Sequence, residues 1–158
     1  MMNHQQQRVE VVQSARQWIA SPYKWGGNGP FYFDCSGFVR WCLRHADHFK
    51  KRKDFDQDMC AGYMARTYFK DCEIFVEDIN PGDLLFYGES LKTINHVMMV
   101  NWVYQRKPLA YGVIGARGGD STTLTLEDAL AKGAGVSSYI RPYWTNRLKV
   151  IVNPWKKV

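Results

Sequence analysis

The feature that most constrains the fold is a change of hydrophobic pattern at the turn formed by residues 79–83, Ile-Asn-Pro-Gly-Asp. Before this turn, apolar residues recur at helical spacing and predict three helices, over residues 5–20, 36–46 and 56–69, with a charged loop at 47–55. After the turn, short apolar runs are typical of strands. Because helices precede strands instead of alternating with them, the sequence predicts an α+β fold, with N-terminal helices packed on a C-terminal antiparallel sheet of about five to six strands.

The second half of the chain carries the predicted strands. They cover residues 84–87, 96–100, 110–114, 136–143 and 149–152. A short helix over residues 126–132 interrupts them, with Thr125 as its N-cap and Gly133 at its end. The 158 residues contain no internal repeat, low-complexity segment or linker, so residues 1–158 are predicted to form a single domain.

A glycine-rich loop leads to a cysteine at the predicted start of the second helix. Three of the four positions from residue 26 to residue 29 are glycines, which suits unusual backbone angles or a close approach to a ligand. Thiolate is the nucleophilic form of cysteine, and a helix N-terminus favours it. The polar neighbours Asp34 and Ser36 argue against a packing role for Cys35, and backbone amides beside Gly37 would suit an oxyanion. We interpret Cys35 as a candidate nucleophile.

The other three cysteines lack such a context. Cys42 lies on the apolar face of the second helix and is predicted to belong to the core, while Cys60 and Cys72 are predicted to be structural. The four cysteines form no CxxC pair and no zinc spacing, so we expect free thiols, no metal site and no cofactor.

Four histidines are candidates for the base that a cysteine nucleophile needs. His4 lies in a polar segment, and His45 and His48 lie at the end of the second predicted helix among charged residues. His96 instead opens an apolar strand after the loop 90–95. A lone histidine at a strand start is often structural, but with a helix-start cysteine about sixty residues upstream it fits a Cys-His pair for nucleophilic catalysis.

Composition restricts the partners. The net charge of +6 favours polyanionic or carboxylate-rich partners, and although it would also suit nucleic acid, no recognition motif accompanies it. The 15% of aromatic residues suits either an aromatic-lined groove or an aromatic core. No apolar run approaches the ~20 residues of a membrane span, and the N-terminus lacks the pattern of a signal peptide.

Four motifs, in order, resemble the NlpC family of papain-fold cell-wall peptidases. They are Tyr23-x-Trp25-Gly26-Gly27, Asp34-Cys35-Ser36-Gly37-Phe38-Val39, Pro81-Gly82-Asp83-Leu84-Leu85-Phe86 and His96-Val97. The resemblance extends roughly over residues 9–140. It implies a papain-like cysteine endopeptidase that acts on peptidoglycan stem peptides, typically at the bond from γ-D-glutamate to the third-position diamino acid.

The same resemblance implies roles for individual residues. Cys35 attacks the substrate and His96 is the general base. Tyr23, Asp34 and Ser36 help to bind the substrate.

The chain departs from the family's pattern at the third catalytic position. A polar residue on the strand after His96 normally orients the histidine, and here that position is Gly115, which has no side chain. Asp120 is a candidate replacement if its loop folds back, but it also fits a turn residue, and a backbone carbonyl or water would serve as well. Arg117 cannot accept a hydrogen bond from neutral imidazole but suits a substrate carboxylate.

Alternatives on the same fold stay open. They are an amidase that cuts between the sugar lactate and L-alanine, an acyltransferase, and a catalytically degenerate protein that binds wall peptides or forms part of a phage tail. With no visible export signal, we expect a phage or prophage lysin or a virion component acting on the cell wall, and a monomer unless it belongs to a tail assembly.

Overall fold

Five antiparallel strands form the sheet in the computed structural model, which describes residues 1–105, 109–142 and 145–157. These strands are β1 Leu84–Gly88, β2 Ile94–Tyr104, β3 Ala110–Arg117, β4 Gly135–Pro142 and β5 Leu148–Val152. Their spatial order is β4-β3-β2-β1-β5, and every neighbouring pair is antiparallel. The predicted α+β fold with a C-terminal antiparallel sheet is confirmed. The end of the predicted fourth strand, at Tyr143, lies outside the described residues.

The α-helices precede the sheet, except for one that lies between β3 and β4. They are α1 His4–Gln17, α2 Cys35–Leu43, α3 Asp47–Lys50, α4 Ala61–Tyr63 and α5 Leu126–Lys132. The cap predicted for the last helix is present, because the Thr125 side chain accepts from the Asp128 amide and Gly133 adopts a left-handed conformation. None of the helices in the described parts of the chain has the length and apolarity that crossing a bilayer requires.

The segment between α2 and the sheet differs from its prediction. The third predicted helix, over residues 56–69, is wrong in extent, because α4 is a single turn that continues as a π-helix over Met64–Tyr68. The predicted loop at 47–55 contains α3 and part of a 3₁₀ turn, Lys53–Asp56. The rings of Phe49 and Phe55 are almost fully buried, with centroids 4.9 Å apart. Because both rings pack in the core, the charged segment lies against the core and forms these short helical turns.

Apolar side chains cover both faces of the sheet. On one face, the strand residues Val97 and Met99 pack with α1 and α2 in the larger core cluster. On the other face, Tyr87, Met98 and Val100 belong to a second, smaller cluster. Successive strand residues point to opposite faces, so this alternation also fixes the faces of the polar residues at the strand ends.

A buried ion pair connects α1 to the turn before the sheet. The Asp83 carboxylate accepts a hydrogen bond from Arg8 at 2.7 Å and another from the Asn80 amide at 2.8 Å. Arg8 also donates to the Pro81 carbonyl at 2.8 Å and to the Asn153 side chain at 2.7 Å. The Pro-Gly-Asp motif therefore joins the first helix, the start of the sheet and the C-terminal segment.

This ion pair gives a stability prediction. Asp83→Ala leaves the buried Arg8 guanidinium without its charge partner, so the free energy of unfolding should fall by about 3–5 kcal/mol. Urea unfolding measures the change. The matched control is Asp56→Ala, in an exposed pair with Arg44, which should cost about 1 kcal/mol or less. Equal effects of the two variants would contradict this role for Asp83.

Candidate active site

A single open cleft of about 1150 Å³ collects the residues that the sequence singled out. It lies between the start of α2, the start of β2, the loop after β3 and residues 145–147, directly before β5. All seven candidate site residues line it: Tyr23, Asp34, Cys35, Ser36, His96, Arg117 and Asp120. The structure therefore brings the seven predicted site residues together in one cleft, while the role of each residue stays a prediction.

Asp34 fixes the start of α2. One of its carboxylate oxygens accepts from the Gly37 amide at 2.7 Å and from the Ser36 hydroxyl at 3.3 Å, and the other accepts from the Gly26 amide at 3.1 Å. This is an N-cap, and it makes Cys35 the first residue of the helix. Burial raises the pKa of Asp34, and the hydrogen bonds from the two amides lower it in part.

The glycine-rich loop packs directly against this helix start. The Asp34 amide donates to the Gly27 carbonyl at 2.9 Å. A Cβ atom on Gly37 would lie 2.0 Å from the same carbonyl oxygen, a distance that real atoms do not reach. Glycine at position 37 thus permits the close approach that holds the loop beside Cys35.

The Cys35 thiol is half-buried, and burial dominates its acidity. Burial is the largest cause that raises the pKa of Cys35, to about 11, and the negative charge of Asp34 is the second. Hydrogen bonds to the backbone of Val97, Ser36 and Cys35 itself lower the pKa in part. The helix N-terminus thus contributes in the expected direction but is outweighed. With a pKa this high the thiol is protonated at neutral pH, and a nucleophilic role would require a base that removes this proton.

The raised pKa gives a testable pH dependence. In a Cys60→Ser variant, which removes the exposed thiol, the alkylation rate of Cys35 by iodoacetamide should rise about tenfold per pH unit from about pH 6 to about pH 9.5. The reason is that the reactive thiolate fraction keeps growing until the pH reaches the pKa. Mass spectrometry of the Cys35 peptide follows the rate, with N-acetylcysteine as the control. A rate that already levels off below neutral pH would instead indicate a preformed thiolate.

His96 lies two residues after the start of β2 and is half-buried at the edge of the cleft. The next residue, Val97, is hydrogen-bonded through its backbone to the Cys35 thiol. The start of β2 therefore lies against the start of α2. The ring of Tyr87, on β1, lies 5.9 Å from the imidazole centroid at an interplanar angle of 42°. The cleft thus contains both a thiol and an imidazole on adjoining elements.

In the family pattern, a polar residue on the strand that follows the histidine orients it. Here that position is Gly115 on β3, and a different residue occupies the space. A Cβ atom on Gly115 would lie 2.6 Å from the sulfur of Met98, on the neighbouring strand. Met98 therefore occupies the space above Gly115, on the face of β2 that His96 shares.

Asp120 makes the hydrogen bonds of a loop residue. One carboxylate oxygen accepts from the Thr122 amide at 2.8 Å, from the Thr122 hydroxyl at 2.6 Å and from Lys132 at 2.9 Å. These hydrogen bonds hold the pKa of Asp120 below its usual range. They match the alternative in which Asp120 is a turn residue, and its role in orienting His96 stays a prediction.

Tyr23 and Arg117 form parts of the cleft wall. The Tyr23 ring is buried beneath Gly119, where a Cβ atom would lie 2.2 Å from the ring, and burial is the main cause that raises the pKa of Tyr23. The Arg117 guanidinium is exposed and lies 4.6 Å from the centroid of the Tyr139 ring. Arg117 lines the cleft together with Arg147, and its role as a carboxylate clamp stays a prediction.

The remaining cysteines correct one expectation. All four cysteines are free, and Cys42 is fully buried, as predicted. The structural role predicted for Cys60 is wrong, because Cys60 is exposed and lines the same cleft as Cys35. Sequence reasoning also missed Tyr87, whose only signal was its place at the end of the apolar run after the Pro-Gly-Asp turn.

The structure places a cysteine at a helix start and a histidine on a strand in one cleft of an α+β fold. This is the arrangement expected for the papain-like class of protein that the sequence motifs resemble. The chain belongs to the NlpC/P60 family, whose model matches residues 20–153. The resemblance noted from the sequence motifs is therefore confirmed.

Individual relatives match about half of the chain. A protein of Mycobacterium tuberculosis named as a probable endopeptidase is 33% identical over 84 residues, 52% of this chain and 19% of its own length. Dipeptidyl-peptidase 6 of Lysinibacillus sphaericus is 34% identical over 51% of this chain and 26% of its own length. Gamma-DL-glutamyl hydrolase of Bacillus subtilis is 31% identical over 56% of this chain and 20% of its own length. The matched part thus spans about a fifth to a quarter of these relatives.

Solved structures support the fold. An NlpC/P60 family protein from Bacillus cereus superposes with a TM-score of 0.60 at 18% identity, covering 92% of this chain and 39% of that one. The NlpC/p60 domain of the peptidoglycan hydrolase SagA superposes with a TM-score of 0.56 at 23% identity, covering 92% of this chain and 97% of that one. At these identities the likeness concerns the fold alone.

Proposed function

We propose that this chain is a cysteine endopeptidase that hydrolyses peptidoglycan stem peptides at the bond from γ-D-glutamate to the diamino acid. The observation that carries the proposal is the cleft shared by Cys35 and His96 in a member of the NlpC/P60 family. Relatives named as endopeptidases, and one named as a γ-glutamyl hydrolase, support the reaction and the type of bond.

The first half of the reaction forms a thioester. Because the Cys35 thiol is protonated at neutral pH, His96 takes its proton as the sulfur attacks the γ-carbonyl carbon of D-glutamate. The carbonyl oxygen becomes an oxyanion, and the backbone amides of Cys35 and Ser36, which lie beside the thiol at the start of α2, suit it as hydrogen-bond donors. When the intermediate collapses, the imidazolium returns the proton to the amine of the diamino acid, which leaves.

The second half releases the acyl product. His96 takes a proton from a water molecule as its oxygen attacks the thioester, and the thiol of Cys35 leaves with that proton. Tyr23, Asp34 and Ser36 form the wall beside the nucleophile and bind the acyl part of the substrate. The free α-carboxylate of γ-linked D-glutamate suits Arg117, which is exposed in the cleft. This reaction needs neither a metal nor another cofactor.

Mass spectrometry of the soluble products from purified peptidoglycan tests the reaction. An endopeptidase releases peptides with a new N-terminal diamino acid, and their appearance would support the proposal. An amidase instead releases stem peptides that begin with L-alanine, and an acyltransferase joins the acyl part to a second amine. Either of these product patterns, or no product with retained binding to the wall, would contradict it.

The substrate sets the place of action at the bacterial cell wall. Action as a phage or prophage lysin or a virion component, and the monomeric state, stay predictions. Gel filtration with light scattering tests the latter.

A further inference from the structure

The position on β3 that carries the orienting side chain in the family pattern is Gly115. Gly115 offers none, and Met98 fills the space above it. A general base works only if its imidazole is held in a productive orientation, because a misplacement of about 1 Å costs about 10²-fold in rate. The inference below rests on the proposed function of His96 as that base.

The strand on the other side of β2 supplies a buried aromatic ring. Tyr87 on β1 is the direct cross-strand partner of His96, and the two rings lie 5.9 Å apart at 42°. Residues paired in this way point to the same face of the sheet and contact one another. The Tyr87 side chain is 6% exposed and packs in the second core cluster, so the ring is fixed in place.

A β-bulge follows this pair. Tyr87 pairs with His96, but the next residue, Gly88, pairs with Ile94, so Asn95 is the extra residue of β2. A Cβ atom on Gly88 would lie 2.5 Å from the Thr93 carbonyl oxygen, so the close crossing of the bulged strand requires glycine. Bulges next to active sites change the direction in which a side chain points.

A further contact holds the segment that leads into the bulge. Arg66, on the π-helical turn after α4, donates to the carbonyls of Leu91 and Lys92 at 3.3 and 3.2 Å. These carbonyls belong to the 3₁₀ turn Leu91–Thr93, directly before β2. The backbone on the N-terminal side of His96 is thus anchored to the π-helical turn that follows α4.

We propose that Tyr87 is a positioning residue for His96, whose ring, together with the bulge at Asn95, holds the imidazole from the β1 side in place of a side chain at position 115. The role belongs to the aromatic ring, because the observed relation is a ring contact between cross-strand partners. It assigns to β1 a task that the family pattern gives to β3.

Three variants test this inference in the full chain. Tyr87→Leu should lower kcat about 10- to 100-fold with KM unchanged, because the base is misplaced while the proposed binding residues Tyr23, Asp34 and Ser36 are unchanged. Tyr87→Phe keeps the ring and should leave kcat within about threefold of the wild type. Tyr111→Leu is the matched control, since Tyr111 is a buried tyrosine of the same core cluster that does not line the cleft. It should lose similar stability in thermal unfolding but keep its kcat.

A readout without turnover separates this inference from the proposed function. Histidine-labelled NMR spectra, with the His96 signals assigned from a His96→Gln variant, should show a changed tautomer balance and titration midpoint in Tyr87→Leu only. If no variant cleaves peptidoglycan yet this difference appears, the proposed function fails and the positioning role stands. The role is overturned if Tyr87→Leu retains the wild-type spectrum and kcat, if Tyr111→Leu shows the same changes, or if Tyr87→Phe behaves like Tyr87→Leu. It is also overturned if Asp120→Asn alone reproduces the changes.

Discussion

Cys35→Ala should reduce the cleavage of purified peptidoglycan to background, a loss of about 10³-fold or more. The reason is that the sulfur forms the bond to the substrate, and neither water nor another side chain in the cleft replaces it in the thioester route. The release of new amino groups over time measures the rate. The Cys35→Ala protein should still bind the wall, because Tyr23, Asp34 and Arg117 are unchanged.

Two control variants make this result specific. Cys60→Ala removes an exposed thiol from the same cleft and should retain wild-type activity. Cys42→Ala removes a fully buried thiol of α2 and should retain most activity, with some loss of stability from the cavity. If Cys35→Ala and Cys42→Ala lose activity equally, Cys35 is not the nucleophile.

His96→Ala has the second largest expected effect, a fall in kcat of about 10²- to 10⁴-fold at neutral pH. Burial raises the pKa of the Cys35 thiol to about 11, so without a base almost no thiolate forms at neutral pH. As the pH rises towards that value, the thiol ionises without help. The residual activity of His96→Ala should therefore increase with pH more steeply than that of the wild type.

The control is another histidine. His45→Ala removes an exposed imidazole that contacts the Trp41 carbonyl at 3.1 Å, away from the cleft, and it should keep full activity. A pH–rate profile of kcat for the three proteins measures both effects. A His96→Ala enzyme with wild-type kcat at neutral pH, or with no gain at alkaline pH, would contradict the role of His96 as the base.

The sequence predicted the parts of the structure that depend on local patterns. The change at the Pro-Gly-Asp turn predicted the α+β fold, because hydrophobic periodicity is a local property of a strand or helix. The start of α2 was predicted to within one residue, since the sequence predicts residue 36 and the helix begins at Cys35, after the N-cap Asp34.

The errors come from contacts between residues that are distant in sequence. The segment 47–55 reads as a charged loop, but Phe49 and Phe55 meet other aromatic rings in the core and bend it into short helical turns. Cys60 has no motif around it and enters the cleft only because the single turn α4 packs beside β2. A pattern along the chain does not contain this information.

The environment of His96 shows the same limit at the site. Gly115 was recognised in the sequence as lacking a side chain, but the replacement depends on strand register. Tyr87 meets His96 because β1 pairs with β2 antiparallel, with a bulge at Asn95. Likewise, the helix N-terminus predicts an acidic thiol at Cys35, whereas burial, a property of the folded chain, raises its pKa.

A substrate-derived electrophile tests the central claim most directly. L-alanyl-γ-D-glutamyl chloromethyl ketone places its ketone carbonyl where the proposed scissile carbonyl binds, so that the sulfur of Cys35 displaces chloride from the adjacent chloromethyl carbon. Peptide mapping by mass spectrometry locates the adduct. We predict one adduct, on Cys35, that forms faster than with the L-glutamyl analogue, is slowed by excess stem tripeptide, and is absent from the exposed Cys60. An adduct on Cys60 instead, or equal rates with both analogues, would contradict Cys35 as the nucleophile of a stem-peptide endopeptidase.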